Sequence, residues 1–351
     1  MSIGPVRCWA IKSQDGIQHG LRLLPDATLP KLSAEHVLVE IHAASLNYRD
    51  VAILKPALAL EFTPYVTAGS DGAGVVLETG SSVSDFRKGD KVVMHLAPDA
   101  DEDELPTYEH IFGGLGQKIP GTLTERGIFP KSALMKMPSN LTFEQAATLT
   151  CSALTAWNAL FGLRGRELRA GDWVLVQGTG GVSIAALQFA LAAGATVVAT
   201  TSSDAKAGQL KALGAHHIIN YRNDPDWGAT TRSLTPKSKG VDHVVDVGGD
   251  NTLAQSVKAV RLDGLISAVG LVGGPPGAER PALMDVLWNL VIVRGVLLGS
   301  RVQFAEMNAF IEKHKIGIAL DDEVFGFDRV KEAYEKVDAQ KHFSKVVIKI
   351  E

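Results

Sequence analysis

The sequence predicts an α/β protein with two cores, one of them a doubly wound parallel sheet, and three observations lead there. The chain has 351 residues, more than a single ordinary hydrophobic core serves. Its texture changes twice: β-rich runs up to about residue 139, apolar runs alternating with helical stretches from 143 to 315, then a return to the first texture. Inside the middle stretch, a glycine-rich turn joins an apolar run directly to a helix.

The elements follow in order. Runs 37–41, 73–78 and 91–95 are β-rich and separated by Gly, Pro and Asp turns, the pattern of a small, irregular β unit or barrel. From residue 143 onward, apolar run 173–176 leads into helical residues 184–193, and 196–200 leads into 205–213. Runs 241–247, 265–269 and 293–298 follow, each separated by a helical stretch. Serial βα units whose strands are apolar along nearly their whole length imply a parallel sheet covered on both faces. Gly194 and Gly214 stand just past two of these helices, where a left-handed cap is wanted. Residues 332–337 read as a helix and 345–350 as a closing strand, and the acidic stretch 99–104 as a solvated loop.

Composition narrows the function classes. Apolar residues make up 46% and charged residues 21%, the balance of a soluble globular protein. A net charge of −4 argues against nucleic-acid or anionic-membrane binding, both of which need a basic surface. No apolar run approaches the ~20 residues of a membrane helix. Residues 1–10 lack the basic start and apolar stretch of a secretory signal, so the cytoplasm is the expected compartment. With Cys8 and Cys151 alone, a disulfide scaffold and an all-cysteine metal site are excluded.

The sharpest motif is Val174-Leu-Val-Gln-Gly178-Thr179-Gly180-Gly181-Val182-Ser183. A strand must turn sharply here and a pyrophosphate must approach the backbone closely. Glycine permits both, and the following helix N-terminus offers unpaired N–H groups to the anion. Ser183 replaces the third glycine of the usual G-x-G-x-x-G pattern. At the end of the next strand an NAD site usually places a carboxylate for the ribose 2′-hydroxyl. Here the strand ends Thr200-Thr201-Ser202-Ser203, with Lys206 close behind and Tyr221-Arg222 closing the strand after it. Hydroxyls and a cation suit a 2′-phosphate, so NADP(H) is the expected cofactor. Ser203 or Asp204 also suits the N-cap of the helix that starts there.

Several ordered stretches resemble one family: 44–50 (Ala-Ser-Leu-Asn-Tyr-Arg-Asp), 69–74 (Gly-Ser-Asp-Gly-Ala-Gly), 86–92, 144–149, 154–160, 176–183, 211–216, 219–221 and 244–249. Together they resemble zinc-independent medium-chain dehydrogenase/reductases, closest to the quinone-oxidoreductase branch. The resemblance implies a GroES-like β-rich catalytic domain from residues 1–142 and 316–351, around a Rossmann NADP-binding domain of residues 143–315. It aligns Asn47, Ser70 and Cys151 with the Cys, His and Cys that hold catalytic zinc in zinc-dependent relatives. An amide, a hydroxyl and one thiol do not make that ligand set, so no metal is expected. Cys151 then reads as a buried small residue. Without a Lewis acid, hydride transfer suits an acceptor that disperses its own negative charge, a quinone or an α,β-unsaturated carbonyl.

The resemblance also supplies candidates for the chemistry. Asn47 would donate to a carbonyl or to the nicotinamide ribose, or else is simply the turn residue before a helix. Asp50 would orient that loop or lie exposed on the helix. Tyr48 and Tyr65 are the local phenols able to give a proton, and Ala52 stands where many quinone reductases carry a tyrosine, which leaves solvent as a proton source. Thr155 and Asn158 resemble positions that touch the nicotinamide half. Gly248, Gly270, Leu271, Gly299 and Ser300 fall at strand ends, where open α/β sheets meet their ligand, and Lys345, near Phe343, is a further candidate. His216-His217 reads as a strand-edge pair. A homodimer formed through the apolar run 293–298 is expected. The competing activities are a zinc-independent alcohol dehydrogenase or carbonyl reductase of broad specificity, a trans-acting enoyl reductase, and a non-catalytic NADP(H)-binding protein.

Overall fold

The computed structural model describes residues 4–56, 60–270 and 282–351. The chain divides into two compact units, Met1–Leu154 with Ser300–Glu351, and Thr155–Gly299.

The first unit is built on strand His36–Ser45. One edge of it pairs antiparallel with Asp71–Thr79 along its length. The other edge is shared by two strands in succession: Arg126–Pro130 covers residues 36–40, and the C-terminal strand Val347–Lys349 covers 43–45. Val324–Gly326, Lys91–Met94 and Leu134–Lys136 complete a seven-stranded sheet, and Leu21–Ala27, Val6–Ile11 and Val66–Thr67 form a second, three-stranded one. Gly74 sits where strand pairing is closest: a Cβ there would fall 2.0 Å from the Glu40 carbonyl oxygen. Under these sheets lies a core that includes Trp9, Leu46, Val51, Tyr334 and Ile348, so residues about 300 positions apart share one apolar interior. Helix Val330–Asp338 buries one side, Val330, Ala333, Tyr334 and Val337, and packs on the short helix Tyr48–Ile53.

Residues 143–154 and 300–315, expected in the central unit, pack with the first. Asn308 on helix Arg301–His314 donates to the Lys136 carbonyl (2.9 Å), and Glu312 accepts from the Ser139 N–H (2.6 Å). A π-helical turn, Leu149–Ala153, is anchored by Thr150, whose hydroxyl donates to the Met94 carbonyl (2.7 Å). Periodicity alone cannot reveal such long-range ties.

The second unit holds a six-stranded sheet in the order His217–Asn220, Thr196–Thr201, Trp173–Gln177, Val241–Asp246, Val260–Ala268 and Ile292–Gly295, all parallel. That order, reversing direction at the first strand of the unit, is the doubly wound dinucleotide-binding topology. Its central strands are buried along nearly their whole length, as their composition requires. Gly194 and Gly214 adopt φ of 82° and 100°, the left-handed caps expected of them. The fifth strand begins five residues earlier than expected and carries an irregular pairing register near Asp263, itself at φ 57°. The last strand stops at Gly295, and Leu298 turns left-handed at φ 57°. The stretch 99–104 is exposed apart from Ala100. No helix among the described residues is long and apolar enough to cross a membrane.

Candidate active site

In the second unit, strand Trp173–Gln177 ends at Gly178, whose φ of 72° only glycine adopts without strain. Helix Gly181–Ala192 follows, with Gly180 as its N-cap and no side chain capping it. The N–H groups of its first turn have no acceptor within the helix. Built Cβ atoms on Gly178 and Gly180 meet nothing within 4 Å, so open space lies over this turn. A 12-residue helix presenting bare N–H groups beneath open space is what a pyrophosphate requires. Thr179, Gly181 and Val182, expected to bind the cofactor, lie in this turn and at the start of the helix. Ser183 leaves only its N–H facing that space, because its hydroxyl is buried and donates to the Gln177 carbonyl (2.5 Å), which locks the helix onto the strand.

The parallel pairing Thr201↔Asn220 brings Ser202, Ser203 and Tyr221 to one end of the sheet. Ser203 caps helix Asp204–Ala212, accepting the Lys206 N–H, so cap and candidate ligand are the same residue. Asp204 is engaged elsewhere, accepting from the Asn220 amide (2.7 Å). Tyr221 is half-exposed.

The loop after the fourth strand owes its shape to a residue that sequence reasoning did not single out. Asp246 is fully buried, and its carboxylate accepts from the N–H groups of Gly248 (3.1 Å) and Gly249 (2.9 Å), from Thr252 (2.6 Å), from Ser256 (2.5 Å) and from Gln177 (3.2 Å). Gly270 must be glycine, since a Cβ would lie 2.6 Å from the Val247 carbonyl oxygen. Leu271 lies outside the described residues.

Two other candidates, Asn158 and Ser300, are tied up structurally. Asn158 is buried, its amide donating to the Leu298 carbonyl (2.7 Å) and accepting from Arg294 (2.8 Å), so it braces the end of its own unit. Thr155 is buried on the same helix. Ser300, which follows Gly299, is buried and caps helix Arg301–His314, accepting the Gln303 N–H (3.2 Å).

In the first unit, Asn47 caps helix Tyr48–Ile53, and its N–H donates to Asp50 (2.7 Å). Its side chain faces residues from three other segments. Lys345 Nζ donates to Asn47 Oδ1 (2.5 Å), to the Leu46 carbonyl (2.6 Å) and to Asp71 Oδ2 (3.2 Å). Ser152 Oγ also donates to Asn47 Oδ1 (3.3 Å), and Asn47 Nδ2 donates to Ser70 Oγ (3.4 Å). Asp71 accepts in turn from Ser45 (3.0 Å) and Ser70 (3.2 Å). Asp71 is wholly buried and Lys345 nearly so, making this a buried ion pair from which removing one partner alone costs about 3–5 kcal/mol. Cys151 Sγ lies 3.7 Å from Ser70 Oγ, and burial, with Asp71's charge, pushes its thiol well above the usual value.

The three positions aligned with zinc ligands therefore do meet: Asn47, Ser70 and Cys151 form one cluster. Tyr48 is half-exposed and Tyr65 stands at φ 60° in an exposed turn; neither takes part in the network. Asp71, Ser45 and Ser152 went unread in the sequence, although Asp71, a carboxylate at the start of a strand whose next six residues are apolar or glycine, carried a signal. Among the described residues, the group able to share a metal ion is Glu40, His42 and Glu351, which is not this cluster.

Asp50 is buried rather than exposed. Burial, opposed by Arg49 and reinforced by Asp71, pushes its pKa up to about 6. Such a carboxyl holds its proton more tightly when folded, so its contribution to stability is present below about pH 4 and lost as pH rises through about 6. Asp50→Asn keeps an acceptor for the Asn47 N–H while removing the charge. Thermal melts should show D50N gaining on the wild type by up to about 3 kcal/mol at pH 8, with the gain gone near pH 4. A difference independent of pH would contradict the buried charge.

Comparison with known proteins agrees with both units. The family model for the alcohol dehydrogenase GroES-like domain matches residues 33–139, and that for zinc-binding dehydrogenase matches residues 181–313. The chain is 43% identical to a zinc-type alcohol dehydrogenase-like protein of Schizosaccharomyces pombe over 92% of each chain. It is 28% identical to the quinone oxidoreductase of Mus musculus, over 90% of this chain and 89% of the other. A crystal structure from Sinorhizobium meliloti 1021, provisionally named an alcohol dehydrogenase, superimposes with a TM-score of 0.90 at 34% identity, covering 100% of both chains.

Proposed function

The chain belongs to the medium-chain dehydrogenase/reductase superfamily of oxidoreductases, and from that premise we propose that it is an NADPH-dependent reductase of quinones or α,β-unsaturated carbonyls that works without zinc. The observation that carries this reading is the donor set around Asn47. Catalytic zinc takes cysteine, histidine and carboxylate ligands. Gathered here are an amide, hydroxyls, a thiol kept protonated by its burial, and a carboxylate already paired with an ammonium. A dication brought to this set would face the Lys345 charge and meet an amide and hydroxyls where zinc wants histidine and a second thiolate. Zinc does not fit.

The dinucleotide does. The turn at Gly178–Gly181 would hold the pyrophosphate, and Ser202, Ser203, Lys206 and Tyr221 would hold a 2′-phosphate, the strand itself ending in hydroxyl residues, with Asp204 turned to the Asn220 amide. When bound, a reduced nicotinamide dinucleotide supplies the hydride. Asn47 Nδ2 is the group that would hold an acceptor's oxygen as negative charge builds there. Lacking a metal to polarise a simple ketone, the site favours acceptors whose conjugation spreads that charge.

Assembly follows from an exposed apolar face. Helix Leu283–Asn289 buries none of its residues, and Leu283, Leu287, Trp288 and Leu290 are exposed beside the edge strand Ile292–Gly295. We propose that a second copy covers them. Trp288→Glu should convert dimers to monomers in light scattering, and a wild type that is already monomeric would sink the idea.

A turnover panel tests the activity. NADPH oxidation should be faster with quinones and enones than with saturated ketones of similar size, and the reverse order would overturn the assignment. In the same assay Lys206→Ala should raise KM for NADPH roughly tenfold and leave that for NADH unchanged; equal losses would remove the phosphate role.

A further inference from the structure

We propose that Lys345 is a positioning residue that fixes the Asn47 amide in one orientation, with its carbonyl oxygen turned inward and its NH2 group as the donor offered to a ligand oxygen. This rests on the reading of Asn47 as the group that receives an acceptor's carbonyl.

The argument is one of donors and acceptors. An ammonium has three N–H donors and no acceptor. Those of Lys345 go to the Leu46 carbonyl, Asn47 Oδ1 and Asp71 Oδ2, so Lys345 has none left for a substrate. Asn47 Oδ1 has two lone pairs, and Lys345 and Ser152 take both. A flipped amide would set its NH2 against the ammonium, donor against donor, and leave one ammonium N–H without its acceptor. The amide is thus held by charge, not merely by shape. On the other side, Nδ2 makes a long 3.4 Å bond to Ser70, whose hydroxyl passes its own proton to Asp71. One N–H of the Asn47 amide therefore has a weak partner, and the second has no partner among the described residues. The result is a one-way site: it accepts a ligand that brings a lone pair and rejects one that brings a proton. A carbonyl oxygen qualifies, and so does the enolate-like oxygen it becomes.

Lys345 also joins strand Val347–Lys349 and the loop before helix Tyr48–Ile53, segments nearly 300 residues apart in sequence. Its burial is explained by the Asp71 charge. Asp71 is in turn fixed by Ser45 and Ser70, so it cannot swing toward Asn47 if the lysine is lost.

The test compares wild type with Lys345→Met, Lys345→Gln and Lys345→Arg, with folding checked by thermal melts. Protein labelled with 15N-asparagine reports the Asn47 side-chain amide directly, its signal identified by loss in Asn47→Asp. We expect one sharp amide pair in wild type and in K345R, and a shifted, broadened or doubled pair in K345M and K345Q. The neutral variants should also lose tenfold or more in kcat with an enone acceptor, while the Kd for NADPH measured by fluorescence stays within twofold. An amide signal unchanged in both neutral variants overturns the proposal, as does a kcat preserved in them. A loss confined to NADPH affinity overturns it as well, since it would make Lys345 a cofactor ligand. If wild type turns over no acceptor, the functional reading fails while the amide signal still decides the orientation. If K345M does not fold, K345Q carries the comparison. If neither neutral variant folds, K345R decides: loss of the sharp amide pair despite retained charge counts against the proposal.

Discussion

Much of the first unit converges on a single buried ammonium. Lys345 Nζ ties the last strand of the chain to the backbone carbonyl of Leu46, to the side chain of Asn47 and to Asp71. Burying an ammonium without a counter-charge is costly, and the Asp71 carboxylate, itself held by two serines, offsets that cost. From this pair the polar interior of the unit follows. Asn47 is oriented by it, Ser70 is drawn between Asn47 and Asp71, and the thiol of Cys151 stays neutral beside it. Positive charge is present in the site already, supplied by the protein.

The second unit is organised around a buried anion. Asp246 gathers five donors and thereby fixes the glycine loop after the fourth strand, and Gln177 connects this arrangement to the strand that precedes Gly178. The loop ends along one side of the sheet are thus held by carboxylate chemistry below them. Glycine keeps the space above the first turn clear.

How much of this was legible in the sequence depends on the range of the interaction. The parallel sheet could be read from local signals: continuous apolar strands, glycine caps at 194 and 214, and a glycine turn opening a helix. The glycine turn between strand and helix was readable for the same reason, being one contiguous motif. The bond from the Ser183 hydroxyl to the Gln177 carbonyl was not, because helix packing makes it. Asn158 and Ser300 had suitable chemistry and suitable positions, yet a brace and a cap claim their side chains. The Asn47 cluster was least legible. Its members come from residues 45–50, 70–71, 151–152 and 345, and only the closed sheet brings them together. Lys345 was a candidate without a partner in view, and Asp71 passed for part of a motif. The unit boundaries moved for a similar reason, since helix Arg301–His314 is claimed by hydrogen bonds to Lys136 and Ser139 that lie far away in sequence.

The central claim is that the Asn47 site performs its chemistry with an ammonium and an amide where zinc-dependent relatives place a metal. The most direct measurement is the metal content of purified, turnover-competent enzyme, by mass spectrometry on the same sample used for activity and after dialysis against a chelator. The account predicts far less than one zinc per chain and a rate unaffected by the chelator. One tightly held zinc per chain, lost together with activity and restored together with it, would contradict the account.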